Sequence, residues 1–444
     1  MQSIQRRPVL AAGLICLGLT AALLAALGLS RGIAFWSTSD GVYALTSREI
    51  LDGLGLYRDV AAAQPPPVYL AGAALLGLDD SLTMLRAGLE LAVLATSLLV
   101  YVAVVRLTGR RGLAVLAGVL APLAPLTLHE NALLTPETLA APLLLGTALL
   151  AARPHREAAA GVLAALALST KLSFALPALA ILLAGPGRLR ALAWCAGAVA
   201  VLAAAGAALY GGDLWRSVLV AQAQSGTTAL TNLPGLLAQE AWNELPLVVL
   251  AAPAVLWRAR ARDPVLLRTV AAGAVGCLLL GLTVIKLGTY VNAVAPAEPA
   301  LVVLGACGVA WVLDRSWRWR AVAVAGLALA AAQSGSLLLS PADPRPFTRP
   351  FAASGPRRAL SAGQVEAYAR AARACPADAP YPGVPFIAFV AHRRPLGDQP
   401  DLFIITVAEN ERFAERAARD LPQACPAGAP VVDPRGNVTS PPPA

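Results

Sequence analysis

Residues 191–210 read ALAWCAGAVAVLAAAGAALY, a run of 20 residues without a charged side chain. A helix that crosses the hydrocarbon core of a bilayer needs roughly 20 such residues, so this stretch predicts a transmembrane helix. The whole chain of 444 residues has the same character, being 57% hydrophobic and 14% charged with a mean hydropathy of +0.64. A soluble protein of this size would carry more charge. The sequence therefore predicts an integral membrane protein.

Similar apolar segments recur along the chain and predict an all-α polytopic membrane protein with about eleven transmembrane helices. Several segments are short, so we expect them to be tilted, broken or shielded by protein. The first follows Arg6 and Arg7 as a signal peptide would, but its core is long and no small-x-small cleavage site follows, so we expect an uncleaved helix. The segments lie near 9–29, 84–105, 112–128, 138–152, 157–170, 172–185, 190–210, 245–257, 264–285, 296–313 and 321–340.

Charges alternate in sign between successive connections. Arg188 and Arg190 precede the 190–210 segment, whereas Asp213 follows it. Clusters of arginine mark cytoplasmic loops, so the N-terminus is predicted to be cytoplasmic and the loops with acidic residues to face outward. The net charge of +9 is explained by this topology, and we expect no nucleic-acid partner.

Composition divides the chain into two parts. Residues 1–340 form the predicted membrane domain, in which the first outward loop, 30–83, is long enough for one or two interfacial helices. Residues 341–444 begin with a proline-rich linker and continue as a polar outward segment. There we expect a small α/β domain with helices at 363–374 and 409–421, strands at 385–390 and 402–407, and a disordered end.

The six cysteines fall into two groups. Four lie inside apolar segments and are expected to pack there, whereas Cys375 and Cys425 flank the compact part of the outward segment. An oxidising compartment permits a disulfide between these two, and the alternative is a pair of free thiols.

An acidic residue, Asp40, follows the first apolar segment by about ten positions. There a carboxylate would lie near the bilayer surface and could act as a general base toward an acceptor hydroxyl, the alternative being a solvated loop charge. Downstream follow Gly53-Leu-Gly-Leu-Tyr57-Arg58-Asp59 and then Pro65-Pro66. This order resembles the first outward loop of the GT-C superfamily of membrane glycosyltransferases, in particular the protein mannosyltransferase-like group that includes the aminoarabinose transferases. The resemblance extends in order and hydropathy over most of residues 1–340.

The resemblance implies a set of site residues. Asp40 would be the catalytic base or orient the acceptor, and a second acidic residue would be Glu137 or Glu130. For Glu137 the alternative is a carboxylate that favours a helix N-terminus, and for Lys171 it is snorkelling to the interface rather than phosphate binding. Further positions similar to the family's binding residues are Tyr57, Arg58, Lys286, Tyr290 and Asn292, of which the last two could instead satisfy backbone groups at a broken helix.

The reaction implied by the resemblance is inverting transfer of a hexose or pentose from a polyprenyl-phosphate carrier. The acceptor would be a glycolipid, polysaccharide or protein at the outer side of a bacterial cytoplasmic membrane. No metal is required, because cations can neutralise the leaving phosphate; a divalent metal is not excluded, although the sequence has no strong ligand cluster. The alternative is a transporter or flippase of lipid-linked saccharides. Many secondary transporters are built from inverted or tandem repeats, and this sequence shows no convincing repeat.

Overall fold

A computed structural model describes residues 2–27, 38–130, 133–220, 223, 233–256, 261–285, 291–313, 317–339, 362–400 and 411–425. In these ranges the chain is built from α-helices joined by turns and short 3-10 segments. The helices are α1 (Gln2–Leu27), α2 (Thr38–Leu51), α3 (Pro67–Leu76), α4 (Leu82–Thr108), α5 (Arg111–Leu120), α6 (Pro125–Glu130), α7 (Pro136–Ala151), α8 (Glu157–Thr170), α9 (Ala175–Ala184), α10 (Arg188–Trp215), α11 (Leu233–Leu256), α12 (Pro264–Leu278), α13 (Ala297–Leu313), α14 (Trp317–Leu339), α15 (Ala362–Ala374), α16 (Pro385–Val390) and α17 (Glu411–Asp420).

The predicted apolar segments coincide with helices throughout the membrane domain. Within the described ranges, four stretches are long and apolar enough to cross a membrane: Pro8–Ala26, Leu82–Thr108, Arg188–Val220 and Pro264–Leu282. The remaining predicted segments form shorter apolar helices, such as Pro136–Ala151 and Ala297–Leu313. The all-α polytopic fold is therefore confirmed, while the number of helices that span the bilayer stays a prediction.

Local sequence sets the helix ends. Ser81 accepts a hydrogen bond from the Met84 amide at the start of α4, and Gly109 ends that helix in a left-handed conformation with a φ of 72°. Pro67, Pro136 and Pro264 occupy first turns, where a missing amide hydrogen costs nothing. The Pro65-Pro-Pro run thus ends the loop after α2 and begins α3.

The membrane domain packs through small residues. Its core is rich in alanine, and α8 lies against α10 as α11 lies against α13. A Cβ added to Gly308 would meet the Leu250 carbonyl oxygen at 2.0 Å, so only glycine allows α11 and α13 to approach this closely. Such close backbone approach is how helices associate in lipid, where burial of apolar surface supplies little force.

The segment after 361 differs from the predicted α/β domain. Residues 385–390, expected to be a strand, form the helix α16, and the strand expected at 402–407 lies outside the described residues. Phe386, Ile387 and Phe389 are all buried. The run therefore has no alternation of polar and apolar residues, and its periodicity cannot distinguish a strand from a buried helix. Pro385 then favours the helix, because its fixed φ suits a first helical position. The helices expected at 363–374 and 409–421 are present as α15 and α17.

A disulfide joins Cys375 to Cys425, whose Cα atoms are 5.7 Å apart. Arg393 lies beside it and donates hydrogen bonds to the carbonyl oxygens of Ala372, Arg373, Cys375 and Pro376. Because a helix leaves its last carbonyls without partners, Arg393 stabilises the C-terminal end of α15.

Candidate active site

Asp40 forms a buried ion pair with Arg86. Asp40 lies in the first turn of α2, where the helix dipole favours an anion, and Arg86 comes from the first turns of α4. Arg86 Nη1 donates to Asp40 Oδ1 at 2.9 Å and Nη2 donates to Oδ2 at 2.5 Å, and both side chains have no exposed surface. The Leu134 amide adds a bond to Oδ1 at 2.7 Å. Two cationic donors and one backbone donor therefore fix the orientation of this carboxylate.

This burial excludes the alternative that Asp40 is a solvated loop charge. The loop is folded into α2 and α3, and the C-terminal segment covers it. A Cβ on Gly41 would lie 2.2 Å from the Phe386 nitrogen, so the backbone of α16 contacts the helix turn that carries Asp40. Asp40 is consequently shielded from water in this state.

The connection between α6 and α7 carries the next group of predicted residues. The Thr135 hydroxyl donates to Glu130 Oε2 at 2.9 Å, and the Thr138 hydroxyl donates to the Glu130 carbonyl oxygen at 2.8 Å. These bonds hold the turn whose Leu134 amide reaches Asp40. Glu130, predicted as a substrate-binding residue, is thus buried beside the Asp40 pair and supports the turn.

Glu137 begins α7 and pairs with Lys171 at the end of α8. Lys171 Nζ lies 2.6 Å from Glu137 Oε1, and the Glu137 side chain is 2% exposed while that of Lys171 is 21% exposed. Glu137 and Lys171, which lie 34 positions apart in the sequence, are therefore partners. They meet through one contact, whereas Asp40 and Arg86 meet through two. The Lys171 side chain is thus partly accessible, whereas its carboxylate partner is buried.

A fourth carboxylate, Glu298, lies fully buried in the first turn of α13. Its two oxygens accept hydrogen bonds from the amides of Leu126 at 2.9 Å and Thr127 at 2.5 Å, so it caps α6. Its charge interacts with that of Glu130, which in turn interacts with Glu137. Glu298 therefore fixes the start of α6, and Asp40 binds the Leu134 amide shortly before α7.

The Gly53 to Asp59 element forms a tight loop after α2. Tyr57 adopts a left-handed φ of 67°, is almost fully buried, and donates through its hydroxyl to the Gln64 carbonyl oxygen at 2.7 Å. Such a conformation is rare outside glycine and marks a tightly determined loop. Arg58 is 67% exposed and pairs with Asp59, which lowers the pKa of that carboxyl. Tyr57 shapes the loop, and Arg58 lies accessible at its surface.

Three other predicted binding residues lie wholly or partly outside the described part of the structure. Lys286 and Tyr290 lie outside the described residues, as does the side chain of Asn292, whose backbone belongs to a 3-10 turn at Val291–Val294. Among the side chains that the structure does describe, no three His, Cys, Asp or Glu are grouped as metal ligands.

A second set of charges lies two turns along α2. Arg48 contacts Asp80 Oδ1 through Nε at 2.9 Å and through Nη2 at 2.8 Å, and donates from Nη1 to the Phe389 carbonyl oxygen at 2.8 Å. Its neighbour Glu49 is buried, and this burial raises the pKa of Glu49 to about 7, with the charges of Asp398 and Asp52 acting in the same direction. These groups join α2 to the C-terminal segment.

Sequence reasoning missed Arg86 and Arg48. Arg86 sits within the segment 84–105 that was counted only for its apolar length. An ionisable residue inside an apolar helix is costly unless it is paired, and that rule indicates a functional position with a buried acidic partner. Arg48 gave no comparable signal, because its partner Phe389 lies 341 positions away.

Comparison with known proteins was made at three levels. No protein-family model matches the chain, and no curated protein matches it. Among solved structures it resembles ArnT from Cupriavidus metallidurans in the apo state, with a TM-score of 0.59 and 16% identity over 92% of this chain and 88% of that one. The same enzyme bound to undecaprenyl phosphate gives a TM-score of 0.54 and 15% identity over the same shares. The chain has the ArnT fold.

Coverage of 92% means that the likeness to ArnT includes far more than a few apolar helices. The likeness is one of fold, and it agrees with the fold that the first-loop resemblance implied. At this identity the likeness carries no residue roles, so those of Asp40, Glu137 and Lys171 stay predictions.

Proposed function

We propose that this chain is an inverting glycosyltransferase of a bacterial cytoplasmic membrane that takes its sugar from a polyprenyl-phosphate carrier. The observation that carries the proposal is the buried Asp40–Arg86 pair in a membrane protein with the ArnT fold. Charges are removed from water inside a membrane protein only at considerable cost, so their presence indicates function. ArnT with bound undecaprenyl phosphate supports a polyprenyl-phosphate donor.

In the proposed reaction the acceptor oxygen forms a bond to the anomeric carbon as the bond from that carbon to the phosphate oxygen breaks. The electron pair stays on the lipid phosphate, and the acceptor proton passes to Asp40. Arg86 and the Leu134 amide hold the Asp40 carboxylate in one orientation. Negative charge grows on the departing phosphate, and a cation fixed nearby would stabilise it.

Lys171 is our first choice for that cation. It is a point charge with one described carboxylate contact, on a side chain that is partly exposed, so a phosphate could share it with Glu137. Arg58, exposed on the neighbouring loop, and Lys286 are further proposed phosphate contacts, with Tyr290 and Asn292 proposed for sugar hydroxyls. We further propose that the site faces the outer side of the membrane, that the N-terminus is cytoplasmic, and that the acceptor is a glycan, lipid or protein.

The test is transfer by purified protein in lipid nanodiscs supplied with radiolabelled polyprenyl-phosphate sugars and envelope lipids or glycans as acceptors. Asp40→Asn should lower transfer at least about a hundredfold, as expected when a general base is lost. Asp52→Asn, an exposed carboxylate at the end of the same helix, is the matched control and should keep wild-type transfer.

Transfer is compared at a temperature at which melting curves show both variants to be folded, because Asp40→Asn removes the carboxylate that pairs with the buried Arg86. Asp40→Glu, which keeps the charge, should retain more transfer than Asp40→Asn. Equal transfer by wild type and Asp40→Asn would contradict the assignment of Asp40. Movement of the intact lipid-linked sugar across vesicles without transfer would instead support a flippase.

A further inference from the structure

One short helix of the C-terminal segment, α16, covers the Asp40–Arg86 pair; we call it the roof helix. Its first turn contacts α2 at Gly41, where an added Cβ would lie within 2.8 Å of three Phe386 atoms. The Phe386 ring centroid lies 5.9 Å from the Arg86 guanidinium carbon. Phe386 and Phe389 are fully buried in the same cluster as Leu45, Tyr69 and Leu134. The roof helix is thus part of the wall around the proposed site.

Arg48 ties the far end of the roof helix to α2, while Arg373 of α15 donates to the Val390 carbonyl oxygen at 3.1 Å. Arg48 donates to the Phe389 carbonyl oxygen at 2.8 Å, and its guanidinium carbon lies 4.1 Å from the centre of the Phe389 ring. Asp80 anchors the guanidinium from the other side, and His392 Nδ1 lies 3.3 Å from Asp80 Oδ2. A charged hydrogen bond and a cation–π contact from one residue therefore tie α16 to α2.

We propose that Arg48 is a positioning residue for the transfer reaction: by holding the roof helix on α2, it keeps Phe386 over the Asp40–Arg86 pair and bulk water out. This inference rests on the proposed function. It assigns to the C-terminal segment a direct part in the choice of acceptor, since only a covered site favours a sugar, lipid or protein hydroxyl over water.

Loss of the cover has a defined chemical consequence. A water oxygen would then form the bond to the anomeric carbon while the bond to the phosphate oxygen breaks. The electron pair would again stay on the phosphate, and the water proton would pass to Asp40 or to bulk solvent. The products would be free sugar and the lipid phosphate. The ratio of free sugar to transferred sugar therefore reports whether the roof helix is in place.

The experiment measures both products from one radiolabelled donor for wild type and Arg48→Ala in nanodiscs. Removing the charged hydrogen bond should raise the ratio of hydrolysis to transfer about tenfold. Phe386→Ala should change the ratio in the same direction. Arg48→Lys keeps the positive charge on a single nitrogen and should give an intermediate value. Arg370→Ala, an exposed arginine on α15, is the matched control and should keep the wild-type ratio.

Hydrogen exchange supplies a measurement that does not depend on catalysis. Amides within Thr38–Leu51 should exchange faster in Arg48→Ala than in wild type, because α16 no longer covers that face of α2. A variant that loses both products in proportion, with the ratio unchanged, would show a merely structural Arg48 and overturn the proposal. If wild type neither transfers nor hydrolyses, the proposed function fails. Unchanged hydrogen exchange in Arg48→Ala would separately contradict the proposal that Arg48 holds the roof helix on α2.

Discussion

The two ion pairs of the candidate site differ in how completely they are enclosed. Arg86 meets Asp40 through two nitrogens, and neither side chain is exposed, whereas Lys171 meets Glu137 through one nitrogen and remains 21% exposed. A planar guanidinium in a bidentate pair is fixed, and a single ammonium on a flexible stem can change partners. The comparison indicates that the first pair fixes the geometry of the site and that the second is suited to receive a phosphate.

The largest expected effect is the loss of stability when Arg86 is removed. Arg86→Met removes the bidentate cation from the buried Asp40 carboxylate, which should lower the free energy of unfolding by about 3–5 kcal/mol. Thermal and denaturant unfolding in detergent, followed by tryptophan fluorescence, would measure it. The double variant Asp40→Ala with Arg86→Met should recover much of the loss, because the buried carboxylate is removed together with its cation. Equal losses for Arg86→Met and Lys171→Met would remove the distinction between the two pairs.

Glu49 extends the comparison to a buried carboxylate whose burial outweighs its neighbouring cations. Its pKa rises from 4.5 to about 7 on folding, chiefly through burial. Between those values the folded chain keeps a proton that the unfolded chain loses, so stability falls as pH rises and stays lower above pH 7. The full loss corresponds to about 3 kcal/mol.

Glu49→Gln cannot ionise, so above pH 7 it should be more stable than wild type by up to this amount, and near pH 5 the two should differ little. Melting temperatures across pH 5 to 8 would test this, with Glu366→Gln, an exposed glutamate on α15, as control. Parallel curves for wild type and Glu49→Gln would contradict the raised pKa.

The membrane domain could be predicted from sequence because lipid requires long apolar runs, and the runs at 138–152, 157–170 and 190–210 coincide with α7, α8 and α10. The α16 helix could not, because a short run buried on all sides has no periodicity. The site was predicted in its separate residues, including Asp40, Glu137 and Lys171. What remained hidden was the pairing, because Asp40 lies 46 positions before Arg86 and Phe389 lies 341 positions after Arg48.

The smallest structural effect and the most specific functional one are expected at Lys171. Lys171→Gln leaves Glu137 next to a partly accessible opening, so water can solvate the carboxylate and stability should fall less than in Arg86→Met. A lost charged hydrogen bond to phosphate should raise the KM for the donor about tenfold while the KM for the acceptor stays unchanged. Steady-state kinetics with varied donor would measure this, and Lys171→Arg should restore part of the affinity. An unchanged donor KM together with a loss of stability as large as that of Arg86→Met would mean that Lys171 only neutralises Glu137, as Arg86 neutralises Asp40, and that the phosphate is bound elsewhere.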